Sequence, residues 1–461
     1  MSYSFRRFIE QQFASQLHDA AADYIEYDNV HDISVHIQNV TIEDIDYSPL
    51  RTMSDNVTFP VILKANTISN EDGTNYRHNI MLDGKISGSF SDNFRNIKIR
   101  CSGVCRRRSK FPVTHTDDLL PIITKENIEK DAERLLHMVY RHTECPPHKI
   151  NPLELAHKLG IRVYFVPLSE DCSVRGEYLF HDTHKVLYNE KTGLHSSMFI
   201  SAGTILIEKK LKPQSDIVRF TIMHELVHAV LHYHAYRLVC MCNPDFTSFF
   251  CPVRINEEHC FIDDFVEKME RYADAVASSA LMPKRMFHLI VEKIKNSNGA
   301  LRDAVIMKSL LEQTASFFGV SISACRKRFL GLGYKEMRGI CNYIDGQYVP
   351  PFCYAPDSLK KNQTYVVSIE LAKKLLAENK KLLKMVIRNL VVFTENHFVL
   401  NDPLYVTKDK KLTDYARNHM EQCALKIDLV FPEGCYSNSR FELELVLIDK
   451  MWYNRDYESR I

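Results

Sequence analysis

The stretch from Asp216 to His234, DIVRFTIMHELVHAVLHYH, constrains this chain more than any other. It holds His224, Glu225 and His228 in the spacing H-E-x-x-H. On an α-helix, side chains four residues apart lie one above the other, so both imidazoles can reach one cation. Glu225 follows the first His directly, where a carboxylate can hold and deprotonate a water. Two neutral nitrogen ligands, an open coordination position and a general base are the parts that zinc-assisted hydrolysis requires. The motif by itself also fits an amphipathic core helix with two histidines at its polar edge. The chain has 20 His residues, so a short pattern of this kind can arise by chance. Its surroundings have to decide.

A second helical pattern runs from Asp264 to Met282 and stops at Pro283. Glu270 and Asp274 lie four apart on one face of it, so both can point at one partner. Ala273, Ala277 and Ala280 are small and allow close helix packing. Glu270 reads as a carboxylate third ligand that completes a His2Glu zinc site. Asp274, one turn on, would accept the other ring N–H of a ligand His and fix its tautomer. An E-x-x-x-D pair alone is more often a solvated acidic face; downstream of H-E-x-x-H and followed by Ala-rich helix, it is read as ligand and support. Glu267 is the alternative third ligand, although no acid follows it four residues later. A donor for an oxyanion is also needed. Tyr233, His232 and His234 are near in sequence, and nothing in the sequence chooses among them.

The rest of the chain gives context. With 461 residues there is room for two to four domains. Hydrophobic content of 45% and charged content of 25% describe an ordinary globular protein, and a net charge of +1 provides no global field for nucleic acid or anionic membrane. The first residues, MSYSFRRFIEQQF, lack the apolar core of an export signal, and no apolar run is long enough to span a membrane. The 13 cysteines are therefore expected to be reduced thiols or metal ligands, and the location cytoplasmic.

A helix over residues 1–20 should precede four β-rich runs between Val30 and Cys105, read as a small antiparallel sheet forming its own unit. Cys101 and Cys105 read as core thiols rather than a metal pair. The basic run after Cys105 reads as a solvated linker. Thr124 opens a helix through Tyr140. Asn151-Pro152-Leu153-Glu154 is a strong helix start, and Gly160 a stop. Strands are expected at IRVYFVPL, Lys185–Asn189 and Gly203–Lys209. Cys240, Cys242, Cys251, His259 and Cys260 follow the H-E-x-x-H helix in a spacing that fits no standard zinc pair, and read as free thiols in an irregular insertion, with a second metal as the alternative. From Leu310 to Gly333 two short helices flank a turn at Gly319-Val320-Ser321. This looks like a helix-turn-helix, in which Arg326, Lys327 and Arg328 could contact phosphate, or else a purely structural helix pair. Beyond it, Ser368–Asn379 and Leu382–Leu390 have helical and strand-like patterns, and LKIDLVF and FELELVLI read as strands.

Four stretches in this order, NPLELAHKLGIRVYFVPL, RFTIMHELVHAVLH, ERYADAVASSALMP and TASFFGVSISACRKRFLGLGY, resemble the ImmA/IrrE family of zinc metallopeptidases over roughly residues 125–335. Val227 stands where that family usually has Gly, and Val276 and Ser278 replace Phe and Ala. The 41 residues between His228 and Glu270 exceed the usual gap. The resemblance implies His224, His228 and Glu270 as ligands of Zn2+, Glu225 as catalytic base, and a protein substrate, typically a helix-turn-helix repressor. The fold class expected is α+β: an N-terminal β-rich domain (1–110), a zincin-like metallopeptidase core (124–300), a helix-turn-helix-like module (301–340) and a C-terminal α+β accessory region (350–461). The function expected is that of a zinc endopeptidase. The alternative is a DNA-binding or signalling regulator with a structural or vestigial zinc site.

Overall fold

The computed structural model describes residues 3–27, 35–51, 54–71, 74–105, 111–140, 148–189, 194–213, 215–243, 264–298, 303–360, 362–430 and 458–460. The chain divides into two compact units, residues 1–144 with 151–280, and residues 145–150 with 281–461.

The first unit opens with α1 (Phe5–Gln12), capped by the Ser4 hydroxyl, and α2 (Ala14–Tyr27). Four antiparallel strands follow, β1 (Val35–Ile45), β2 (Asn56–Glu71), β3 (Thr74–Ser89) and β4 (Lys98–Val104), in that order across the sheet. β2 and β3 form one long hairpin, in register from Asn56 opposite Ser89 to Glu71 opposite Thr74. Val57, Phe59, Val61, Leu63 and Ala65 are all buried, the period-two pattern of a sheet with one face inward. Phe5, Ile9, Phe90 and Phe94 complete this core.

The sheet exists as expected, but its core is shared. α5 (Asp216–Leu231) is followed by α6 (Tyr233–Cys242), and α7 (Asp264–Leu281) comes later in the chain. Ala235, Leu238 and Val239 of α6 and Phe265 and Met269 of α7 belong to the same buried cluster as the strands. Polar contacts reinforce it: the Tyr233 hydroxyl donates to Asp55, His234 Nε2 donates to the Ser54 carbonyl at 2.9 Å, and Arg237 donates to the Phe90 carbonyl. A single half-apolar sheet must bury its face against something, and part of that cover is the helix that continues from the H-E-x-x-H segment.

Between these parts, α3 (Lys125–His137) is capped by Thr124, and α4 (Pro152–Lys158) has Asn151 as cap and Pro in its first turn. Both caps were legible in the sequence. A three-stranded sheet carries β5 (Arg162–Val166), β6 (Gly176–Leu179) and β9 (Thr204–Glu208) in the order β5-β9-β6, with β5 parallel and β6 antiparallel to β9. β7 (Thr183–Asn189) and β8 (Leu194–Ile200) form a separate hairpin.

In the second unit, α8 (Lys284–Asn298), α9 (Ala304–Phe318) and α10 (Ile322–Gly331) share a core around Phe287, Leu311, Phe318 and Phe329. Gly319, at φ +61°, ends α9, and the Ser321 hydroxyl accepts from Ala324 N–H to begin α10. Two helices and a tight turn are present, yet the arginines expected at phosphate face inward. Arg326 is 1% exposed and donates to the carbonyls of Met337 and Arg338 and to Asn342 Oδ1; Arg328, also buried, donates to the Met282 carbonyl at 3.0 Å. These two guanidinium groups are held by backbone carbonyls, as in the purely structural helix pair. Farther on, the helix Ile369–Glu378 is capped by Ser368, and the strand Ile427–Val430 lies within the expected LKIDLVF. FELELVLI, the basic run at 106–110, and Cys251, His259 and Cys260 lie outside the described residues.

Two stability outcomes follow from these cores. Leu238→Ala should cost about 2–5 kcal/mol, and in calorimetry the N-terminal sheet and the helices of the first unit should lose stability together. Arg326→Ala should destabilise the second unit by roughly 2–3 kcal/mol through its unpaired carbonyls, read by chemical denaturation.

Candidate metal centre

α5 is set by its own sequence and then buried. The Ser215 hydroxyl accepts from Val218 N–H, and Val218, Ile222, Met223, Leu226, Val227, Ala229 and Val230 are all buried. The helix packs against α4, β6 and β9. β6 passes so close that a Cβ on Gly176 would lie 2.4 Å from Thr221 Cγ2 and 3.3 Å from Glu225 Oε1. Only glycine allows that approach, and it places a strand beside the expected base.

His224 and His228 project from one face of α5, with their Nε2 atoms 2.9 Å apart. Glu270 comes from α7, with Oε2 3.0 Å from His224 Nε2 and Oε1 3.1 Å from His228 Nε2. Among the described residues these three form the group able to hold a metal ion, their ligand atoms all lying within 4.8 Å of one another. Glu267 is exposed and takes no part. Asp274 Oδ1 accepts from His224 Nδ1 at 2.9 Å. Cys240 is partly buried and Cys242 exposed, both as free thiols, and neither belongs to a metal cluster among the described residues.

The set fits a zinc ion. Bonds of about 2.0–2.2 Å in a tetrahedral site separate the ligand atoms by about 3.3–3.6 Å, a little more than the 2.9–3.1 Å contacts here. Each histidine also has its far nitrogen engaged: His224 Nδ1 by Asp274, and His228 Nδ1 by His232 Nδ1 at 3.0 Å. Both Nε2 atoms thereby face the centre. The contact from His232 was not legible as such; the only signal was its position one turn after His228.

The three residues weighed as oxyanion donors are otherwise committed. His232 is fully buried behind His228, while Tyr233 and His234 hold the N-terminal sheet through Asp55 and Ser54.

Charge at the site follows from burial and neighbours. Burial alone would lower His224, but its hydrogen bonds to Asp274 and Glu270 outweigh that and raise its pKa well above the usual value. Burial would raise Glu270, yet the charges and hydrogen bonds of His228 and His224 hold it far below the carboxylate range. Glu225 is raised, chiefly by burial, with the two imidazoles opposing and Glu270 and Glu177 adding to the rise. A base shifted upward is better matched to proton transfer near neutral pH. His232 is lowered well below the usual value, first by burial and then by His228.

Residues 156–330 match the family model described as IrrE N-terminal-like domain, Peptidase_M78. This part of the chain belongs to the ImmA/IrrE family. The match begins within α4, covers α5 and α7, and ends within α10, so both metal-cluster helices lie inside an ImmA/IrrE domain of metallopeptidase type. No curated protein matches the chain. No helix among the described residues is long and apolar enough to cross a membrane.

A proton and a metal ion compete for His224 Nε2. Because the pKa of His224 is raised, zinc binding near neutral pH should release a proton, and zinc affinity should fall about tenfold per pH unit as pH drops below that pKa. Titration calorimetry in two buffers of different ionisation enthalpy measures the proton release directly.

Proposed function

We propose that this protein is a zinc-dependent endopeptidase. The observation that carries the reading is the convergence of His224, His228 and Glu270 from two helices, with the buried Glu225 carboxylate next to the first ligand. Zinc held by these residues would polarise the scissile carbonyl and acidify a water. Glu225 takes a proton from the attacking water and delivers it to the leaving amine. Glu270 and the two imidazoles leave one side for substrate, since a purely structural zinc site usually closes with four protein ligands. β6 lies at the outer edge of its sheet and runs beside Glu225, so an extended peptide pairing with that edge would bring its backbone to the base. A helix-turn-helix repressor is the substrate class that the family resemblance suggests.

The test uses purified protein, zinc and a candidate repressor. Cleavage should stop with a chelator and return with zinc. Glu225→Gln should keep its zinc, measured by metal analysis, while cleavage slows by about 10²–10⁴-fold. Undiminished cleavage by Glu225→Gln would exclude this mechanism.

A further inference from the structure

We infer that His232 is a positioning residue for the metal site: it accepts the Nδ1 proton of His228 and so keeps His228 Nε2 as a lone pair facing the cluster. The inference rests on the metal-site reading above and assigns a role to a residue outside the ligand set.

The two Nδ1 atoms lie 3.0 Å apart, and one proton fits between them. If that proton belongs to His228, its Nε2 is free to coordinate, 2.9 Å from His224 Nε2 and 3.1 Å from Glu270 Oε1. If it belongs to His232, neutral His228 must carry its own proton on Nε2, pointing into the site, where it would block a metal. Coordination by His228 therefore requires His232 to be the acceptor, with its own proton on Nε2. That Nε2 is buried, in a side chain with 0% exposure, and has no hydrogen-bond partner among the described residues. Buried N–H groups are seldom left unpaired, so packing alone is a poor explanation for histidine here. An aromatic ring without nitrogen would fill the space with no such penalty. The benefit lies at Nδ1.

The surrounding structure prevents His232 from turning away. It stands at the junction of α5 and α6, and its backbone N–H donates to the His228 carbonyl at 3.2 Å. Its ring lies against Tyr272 of α7, the helix that supplies Glu270, with centroids 5.8 Å apart. The two ligand histidines are thus oriented by different chemistry. His224 is held by the largely exposed carboxylate of Asp274, and His228 by an enclosed imidazole.

The test compares full-length wild type with His232→Phe and His232→Asn. The zinc dissociation constant is measured by competition with a chromophoric chelator, folding is checked by circular dichroism, and the His228 tautomer is read by ¹⁵N NMR of histidine-labelled, zinc-free protein. His232→Phe should weaken zinc binding about 10–100-fold and leave His228 in mixed tautomers. His232→Asn, whose Oδ1 can accept the same proton, should recover most of the affinity and the single Nδ1–H form. A folded His232→Phe with wild-type affinity and an unchanged tautomer would overturn the inference while leaving the metal site intact. Asn performing no better than Phe would overturn it as well. Wild type that binds no zinc would remove the metal site, and the inference with it. If His232→Phe does not fold, the wild-type spectrum decides: a proton on His228 Nε2 refutes the assignment.

Discussion

Two imidazole nitrogens and a carboxylate held at contact distance are the constraint to which the first unit is shaped. His224 Nε2, His228 Nε2 and the Glu270 carboxylate would separate in a relaxed chain unless something positive, a proton or a cation, lay among them. The protein holds them together by occupying the other end of each imidazole. Asp274 and His232 take the two Nδ1 atoms, so ring rotation would break a hydrogen bond on the far side. A cluster held at its far side in this way is preorganised for a cation.

The scaffold supplies that rigidity from two directions. On one side β6 presses on α5 at Gly176, where any larger residue would collide with Thr221. On the other, α6 is sunk into the core of the N-terminal sheet and tied to it by Tyr233, His234 and Arg237. The β-rich region carries no chemistry that can be recognised in its residues. Its physical contribution is to cover the helix that begins at His232, and so to fix the residue that orients His228.

The second unit shows how the same residue types serve a different end. Arg326 and Arg328 lie on a helix after a tight Gly319 turn, which in sequence suggests an arm reaching for phosphate. Both are buried, and their donors are spent on the carbonyls of Met282, Met337 and Arg338 and on Asn342. A planar guanidinium with several donors is well suited to gathering unpaired carbonyls in a crowded interior, and sequence spacing does not separate that use from phosphate binding.

The grouping of His224, His228 and Glu270, with Glu225 beside it and Asp274 in reach of a histidine, was legible from spacing. A helix repeats its faces every three to four residues whatever surrounds it. The helix starts at Thr124 and Asn151 were legible for the same local reason: their caps satisfy backbone groups a few residues away. Tertiary structure alone decided the rest. It selected Glu270 over Glu267 by the way α7 lies, turned Arg326 inward, drew α6 into the sheet's core, and placed His232 behind His228 rather than in front of the substrate side. Those outcomes depend on which surfaces meet, and no short-range pattern along a chain encodes the partner that a face will find.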